Sequence, residues 1–352
     1  MDLELCGRSA FEYHRIPPQI LGLYPKIDLQ PSDRRYIKLS HEPFLEDLLT
    51  SPIHRIAHNR NNRFSGSLFK PHLLTREAPP GAFWQTEHGF EVASPEFTLL
   101  NLATMTEPYE LLMAAYELCS TFAVFKPCER AQAQLDEAIR LKLIDRDDGW
   151  ERVNDTNNSP TDLWKREPLT NTAKLKEFMV KATGMRGIKR LHWTIDRMSG
   201  ITASPFEAQT SMLLSMPRNE GGWSIPIQNN VRIPLTGDAK KLHDATCAYA
   251  DILIETGTDS LGLVIECQGR SVHDSEQAAL SDAERATALT SMGYDVIQIT
   301  YKQIESQASA NSIAKLIHKK AGLEFKPKSS DELTAELDLR RHILTDWNNL
   351  PS

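Results

Sequence analysis

The apolar positions fall into two stretches of different rhythm, separated by a polar gap. In the first stretch Ser9 is placed to cap a short helix through Tyr13, which Pro17 and Pro18 stop. The run GFEVA at 89–93 reads as a short strand. Ser94, Pro95 and Glu96 combine a cap, a first-turn proline and an early acid, and so start a helix with Leu99, Leu100 and Leu102 on its apolar face. Further helices are expected at 109–122 and 130–143. From 145 to 172 the periodicity disappears: the segment is rich in Asp and Asn and broken by Pro160 and Pro168, as expected of a long loop or linker.

The second stretch is more regular. Helix patterns cover 173–185 and 187–198, and Ser204-Pro205 opens a helix with Phe206, Met212, Leu213 and Leu214 as its apolar stripe. Strands are expected at 223–227, 247–255 and 261–267, the last two joined by the turn TGTDS. A helix at 277–292 is stopped by Gly293, and a strand at 295–300 and a helix at 311–321 follow. Apolar runs such as LGLVI suit a central strand covered on both faces. Ser330 and Glu332 start a final polar helix. The expected organisation is a mixed α+β N-terminal domain (1–144), a polar linker (145–172), an α/β domain with a small mixed sheet flanked by helices (173–325), and a surface tail (326–352).

Composition supports two folded domains. The chain has 352 residues, 40% hydrophobic and 25% charged, enough for sizeable cores. Its net charge of -7, from 40 Lys and Arg against 47 Asp and Glu, excludes a globally basic coat but leaves room for local basic grooves. No apolar run approaches the ~20 residues of a spanning helix, and the N-terminus lacks a signal-type apolar core. A cytoplasmic protein without membrane contact is expected. The five cysteines never form a CxxC pair, which argues against a disulfide framework or a thiolate zinc site.

Phosphate-loop, zincin, serine-hydrolase and dinucleotide signatures are absent. What stands out is a pair of acids on apolar strands. Asp251 interrupts one strand, Glu266 ends the next, and Gln268 follows two residues later on the same face. Antiparallel neighbours bring Asp251 and Glu266 side by side at one sheet edge. Two buried carboxylates repel and lose water, so either one takes a proton or a cation bridges them. Mg²⁺, with Mn²⁺ as substitute, suits hard oxygen ligands, and the backbone carbonyl of Cys267 is a candidate third ligand. Such a metal acidifies water and offsets charge on a phosphorane-like transition state, with Gln268 placed to orient the water. The alternative is a pair of surface acids at strand ends.

Asp251, a gap, then Glu266-Cys267-Gln268 resembles the PD-(D/E)XK nuclease motif. The likeness extends over 174–323, to bacterial proteins related to very-short-patch-repair endonucleases. It rests on Ser204-Pro205-Phe206-Glu207, Asp251, Glu266, Gly269, His273, Asp282, Arg285, Leu289, Gly293-Tyr294 and the strand VIQIT. It implies a restriction-endonuclease-like fold and metal-dependent hydrolysis of DNA, in a phage-defence setting. Glu207 would then support the metal that Asp251 and Glu266 bind, and Gln268 stands where the family usually carries Lys or Asp. His273, Asp282 and Arg285 would be supporting residues. Each also has a plain structural reading: Glu207 opposing its helix dipole, Asp282 and Arg285 as an i, i+3 ion pair, His273 as a loop residue. The segment Val92–Ala103 resembles the central part of abortive-infection antitoxin-type regulators. That implies two alternatives: a catalytically silent DNA-binding or antitoxin-like regulator, or a protein partner of a toxin.

From 48 to 76 there is no acid, while Arg55, Arg60, Arg63, Lys70 and Arg76 accumulate with three histidines and Phe64 and Phe69. This is a candidate nucleic-acid-binding surface or a solvated basic loop.

Overall fold

The computed structural model describes residues 3–27, 41–59, 67–144, 149–155, 157–257, 259–269 and 276–351. The chain is mixed α/β and divides into two compact units: Met1–Arg152 with Asp162–Asp196 and Asn348–Ser352, and Val153–Thr161 with Arg197–Trp347. Among the described residues no helix is long and apolar enough to cross a membrane.

The first unit contains strands β1 (Glu4–Leu5), β2 (Ile53–Ala57), β3 (Phe69–Leu73), β4 (Phe83–Gln85) and β5 (Glu91–Ala93), joined into one mixed sheet in the order β3-β2-β1-β5-β4. Its helices are α1 (Gly7–Arg15), α2 (Pro18–Leu21), α3 (Pro43–Leu48), α4 (Pro95–Leu102), α5 (Pro108–Cys119), α6 (Glu129–Arg140), α7 (Thr172–Lys181) and α8 (Ile188–Arg197). Helix α5 is buried over nearly its whole length, as its apolar sequence requires. It ends at Cys119, short of the expected 122, because Ser120 turns extended and Phe122–Val124 becomes strand β6.

The expected linker is instead structured. Strands β7 (Glu151–Asn154) and β8 (Pro160–Lys165) lie in it, and β8 pairs antiparallel with β6. Trp164 is fully buried, its Nε1 donates to the Phe125 carbonyl at 2.9 Å, and Arg152 stacks on its ring. The polar composition hid the central strand of a three-stranded sheet, anchored by one aromatic residue. The segment 173–196, expected with the second domain, packs in the first unit: Phe178 meets Phe97, and Gly187 lies against the Leu100 carbonyl.

The second unit runs α9 (Pro205–Ser215), β9 (Gln228–Pro234), α10 (Ala239–Leu242), β10 (Cys247–Ile254), β11 (Leu263–Gln268), α11 (Glu276–Ser291), β12 (Asp295–Thr300), α12 (Tyr301–Glu305), α13 (Gln307–Ala321) and α14 (Ser330–Ile343). The sheet order is β12-β11-β10-β9; β9, β10 and β11 are antiparallel and β12 returns parallel to β11. The strand expected at 223–227 does not form. Its N–H groups fold back onto the end of α9, Trp223 to the Leu213 carbonyl at 3.0 Å and Ile225 to Leu214 at 2.9 Å. The ladder partner of β10 is the next segment, QNNVRIP. The tail is no appendage either: α14 buries Glu336, Leu339 and Ile343, and Gln209 on α9 donates to the Ile343 carbonyl at 2.7 Å.

Candidate active site

Two strands and one helix end build the candidate site. β10 and β11 pair as far as Ile252 with Ile265, and Asp251 and Glu266 are the next residues of their strands beyond that pair. Asp251 Oδ2 accepts the Cys267 N–H at 2.7 Å, a backbone donor that holds the carboxylate against β11. Glu207 comes from the first turn of α9. Ser204 caps that helix by accepting the Glu207 N–H at 3.2 Å, and its hydroxyl donates to Glu207 Oε1 at 2.9 Å. The Ala203 N–H donates to Oε2 at 2.7 Å. The local sequence ASPFE therefore fixes the Glu207 carboxylate through its own cap.

The three carboxylates act on one another electrostatically. Burial raises the Asp251 pKa well above the usual carboxylate range, and the charges of Glu207 and Glu266 push it further, against the Cys267 N–H and Arg285. Glu207 is raised to about 7, chiefly by burial, with its cap hydrogen bonds opposing and Glu266 adding to the shift. Glu266 is buried, and its Oε2 takes Arg285 Nη2 at 2.5 Å. Glu207 and Glu266 are thus buried, Asp251 is half-buried, and Arg285 is a guanidinium that meets them. Burial also pushes the Cys267 thiol up, and the charge of Asp251 adds to it. Gln268 is half-buried and aligned with Thr300 of β12.

The predicted residues Glu207, Asp251, Glu266 and Arg285 are brought together, with Cys267 and Gln268 on the same strand as Glu266. Two features were missed. Arg285 bonds Glu266, 19 positions away, rather than serving only as a partner for Asp282. The Cys267 N–H holds Asp251, which no side-chain pattern announces. His273 and the Asp282 side chain lie outside the described residues. So do Arg60 and Arg63 of the basic segment. Arg55 corrects the expectation of a phosphate-binding surface there: it is buried in β2 at 3% exposure, bonded to the Ile56 carbonyl and close to the Phe69 ring. Lys70 is exposed.

The donor set decides whether a divalent metal fits. Among the described residues no three His, Cys, Asp or Glu side chains stand together as a ready ligand cluster. Mg²⁺ keeps several waters and needs only one or two carboxylates, however. Asp251 and Glu266 supply hard oxygen donors, and the charges of Glu207 and Glu266 add to the burial that raises Asp251. The residues fit the ion in chemistry. No family model, curated protein or solved structure matches this chain.

Proposed function

We propose that the second unit is a metal-dependent nuclease that hydrolyses phosphodiester bonds in DNA, on a restriction-endonuclease-like core. The observation that carries this reading is that Asp251 and Glu266, on adjacent antiparallel strands, and Glu207, on α9, are close enough to act on one another electrostatically. The element order supports it: a helix, three antiparallel strands, a helix and a parallel strand.

Asp251 and Glu266 would hold Mg²⁺ or Mn²⁺, aided by the Cys267 carbonyl, and the bound ion would acidify a water and offset charge on the phosphate. Glu207 sets the field around the two ligands from its cap. Arg285 fixes the Glu266 carboxylate. Gln268 is neutral and can only orient a water through its amide.

The test is incubation of supercoiled plasmid, linear duplex and single-stranded DNA with Mg²⁺, with Mn²⁺ and with chelator. Cleavage is expected only with metal. Asp251→Asn and Glu266→Gln should each lower the rate by roughly 100-fold or more, since a lost ligand removes several kcal/mol of charge stabilisation. Absence of metal-dependent cleavage on every substrate sinks the proposal.

A second reading, a catalytically silent DNA-binding regulator, draws on two features: Arg285 already neutralises Glu266, and Gln268 is neutral. It expects DNA affinity that survives Asp251→Ala and Glu266→Ala.

A further inference from the structure

The first unit carries a second feature that bears on ligands. The run 178–195 contains no acid, although the chain as a whole is at -7. It holds Lys181, Arg186, Lys189 and Arg190, all exposed, around the turn between α7 and α8. The acid-free segment 48–76 ends in Arg76, also exposed. The fold joins the two. A Cβ placed on Gly184 would sit 2.6 Å from Arg76 Nη1, so the guanidinium lies directly over the turn. Gly184, at φ +79, lacks the side chain that would displace it.

The turn is firmly held. Gly187, at φ +88, brings the backbone against the Leu100 carbonyl, where a Cβ would stand at 2.8 Å. Arg190 Nη1 donates to the Thr106 carbonyl at 2.7 Å. Leu191, Thr194 and Ile195 are buried beneath. Among the described residues none of Lys181, Arg186, Lys189 or Arg76 forms an ion pair, so their charge faces solvent undiminished. Clustered like charges on a preformed surface repel one another unless a polyanion lies across them.

We propose that Arg76, Lys181, Arg186, Lys189 and Arg190 form a phosphate-binding face that seats the backbone of double-stranded DNA. A membrane surface is a poorer match, because Val180 is the one large apolar side chain exposed on α7 and α8. The choice of DNA rests on the nuclease reading. The charged face does not, since it lies in the other unit and uses none of the site carboxylates.

The test is anisotropy of a labelled 25-bp duplex in chelator, titrated with the full-length protein between 50 and 200 mM salt. The charge-reversed variant Lys181→Glu/Arg186→Glu/Lys189→Glu should bind at least roughly tenfold more weakly. It should also lose about three units of salt slope, near 0.9 for each phosphate contact. Circular dichroism checks its fold; should the triple variant unfold, the single variants Lys181→Gln and Arg186→Gln carry the test, each losing about one unit of slope. Unchanged affinity and slope in folded variants, or no binding by the wild type, overturns the proposal. Stronger dependence of anionic-vesicle binding than of DNA binding on these residues overturns it as well. Cleavage measured in parallel separates the two readings. A folded variant that binds normally sinks only the charged face, and a wild type that binds but never cleaves sinks only the nuclease.

Discussion

Each unit buries charge, and the Glu117 pair of the first and the carboxylate cluster of the second do it in opposite ways. In the first, Glu117 on α5 is completely buried and fully answered: Arg15 grips it with Nε at 2.8 Å and Nη2 at 2.5 Å, and the Val124 N–H adds a third donor at 2.9 Å. Arg15 in turn donates to the Leu350 carbonyl at 3.1 Å. At the second unit's candidate site, Glu207, Asp251 and Glu266 act on one another as like charges, and Arg285 meets Glu266. A matched pair locks a fold. A cluster of like charges is held together by the rest of the fold against its own repulsion. That contrast is the physical reason to put function in the second unit's cluster and structure in the first unit's pair.

The largest expected effect breaks the matched pair. Glu117→Ala leaves Arg15 buried without its carboxylate and should destabilise the first unit by about 3–5 kcal/mol. Hydrogen exchange in peptides from α5 and β5 reads this directly. The double variant Arg15→Met/Glu117→Leu should recover most of the loss, because it removes both charges. A mild effect of Glu117→Ala would mean that the pair is not the lock described here.

The next prediction sets pH against the two units. In the first, burial lowers His14 and His54 to about 4, so the unfolded chain binds more protons than the native one between there and the ordinary value of 6.5. Its stability should rise with pH across that window. In the second, Glu207 moves the other way, from 4.5 to about 7, and Asp251 shifts up with it. Here the native state holds the extra proton, and stability should fall as pH rises from about 4.5 to about 7, by up to roughly 3 kcal/mol for a single group. Exchange rates in α5 peptides and in β10–β11 peptides, followed from pH 5 to 6.5 after correction for intrinsic chemistry, should therefore diverge in sign. Millimolar Mg²⁺ should flatten the second slope and leave the first unchanged. Parallel slopes in the two units would remove the contrast.

How much of this was legible in the sequence depends on how each residue is used. β10 and β11 are legible because CAYADILI and LVIECQ are apolar runs, each interrupted by a single acid, and those interruptions are the site. β9 is not, because QNNVRIP carries two asparagines while the more apolar WSIPI beside it closes onto the end of α9. β1 to β4 are short, and nothing local marks Glu4–Leu5 as the centre of a five-stranded sheet. Burial of Arg55 and the reach of Arg285 to Glu266 depend on tertiary neighbours and carry no periodic signal. The acid-free run around Gly184 was visible as letters; its union with Arg76 was not, since it needs the fold to bring distant segments together.

The smallest effect uses a near-repeat. Both units start a helix with Ser-Pro: Ser94 caps α4 by accepting the Phe97 N–H at 3.3 Å, and Ser204 caps α9. The acids that follow sit one position apart and do different things. Glu96 accepts a hydrogen bond from the Thr170 hydroxyl at 2.5 Å, whereas Glu207 folds back onto Ser204 and Ala203. Ser94→Ala and Ser204→Ala should each cost about 1 kcal/mol, the usual value of a lost cap. Only Ser204→Ala also removes a donor that favours ionised Glu207, so its carboxyl should be driven further up. If Glu207 must ionise for the site to work, the pH–rate profile of DNA cleavage should then move to higher pH in Ser204→Ala and stay in place in Ser94→Ala. Matching profiles in the two variants would reduce Glu207 to a helix cap with no part in the chemistry, and the carboxylate cluster to a pair.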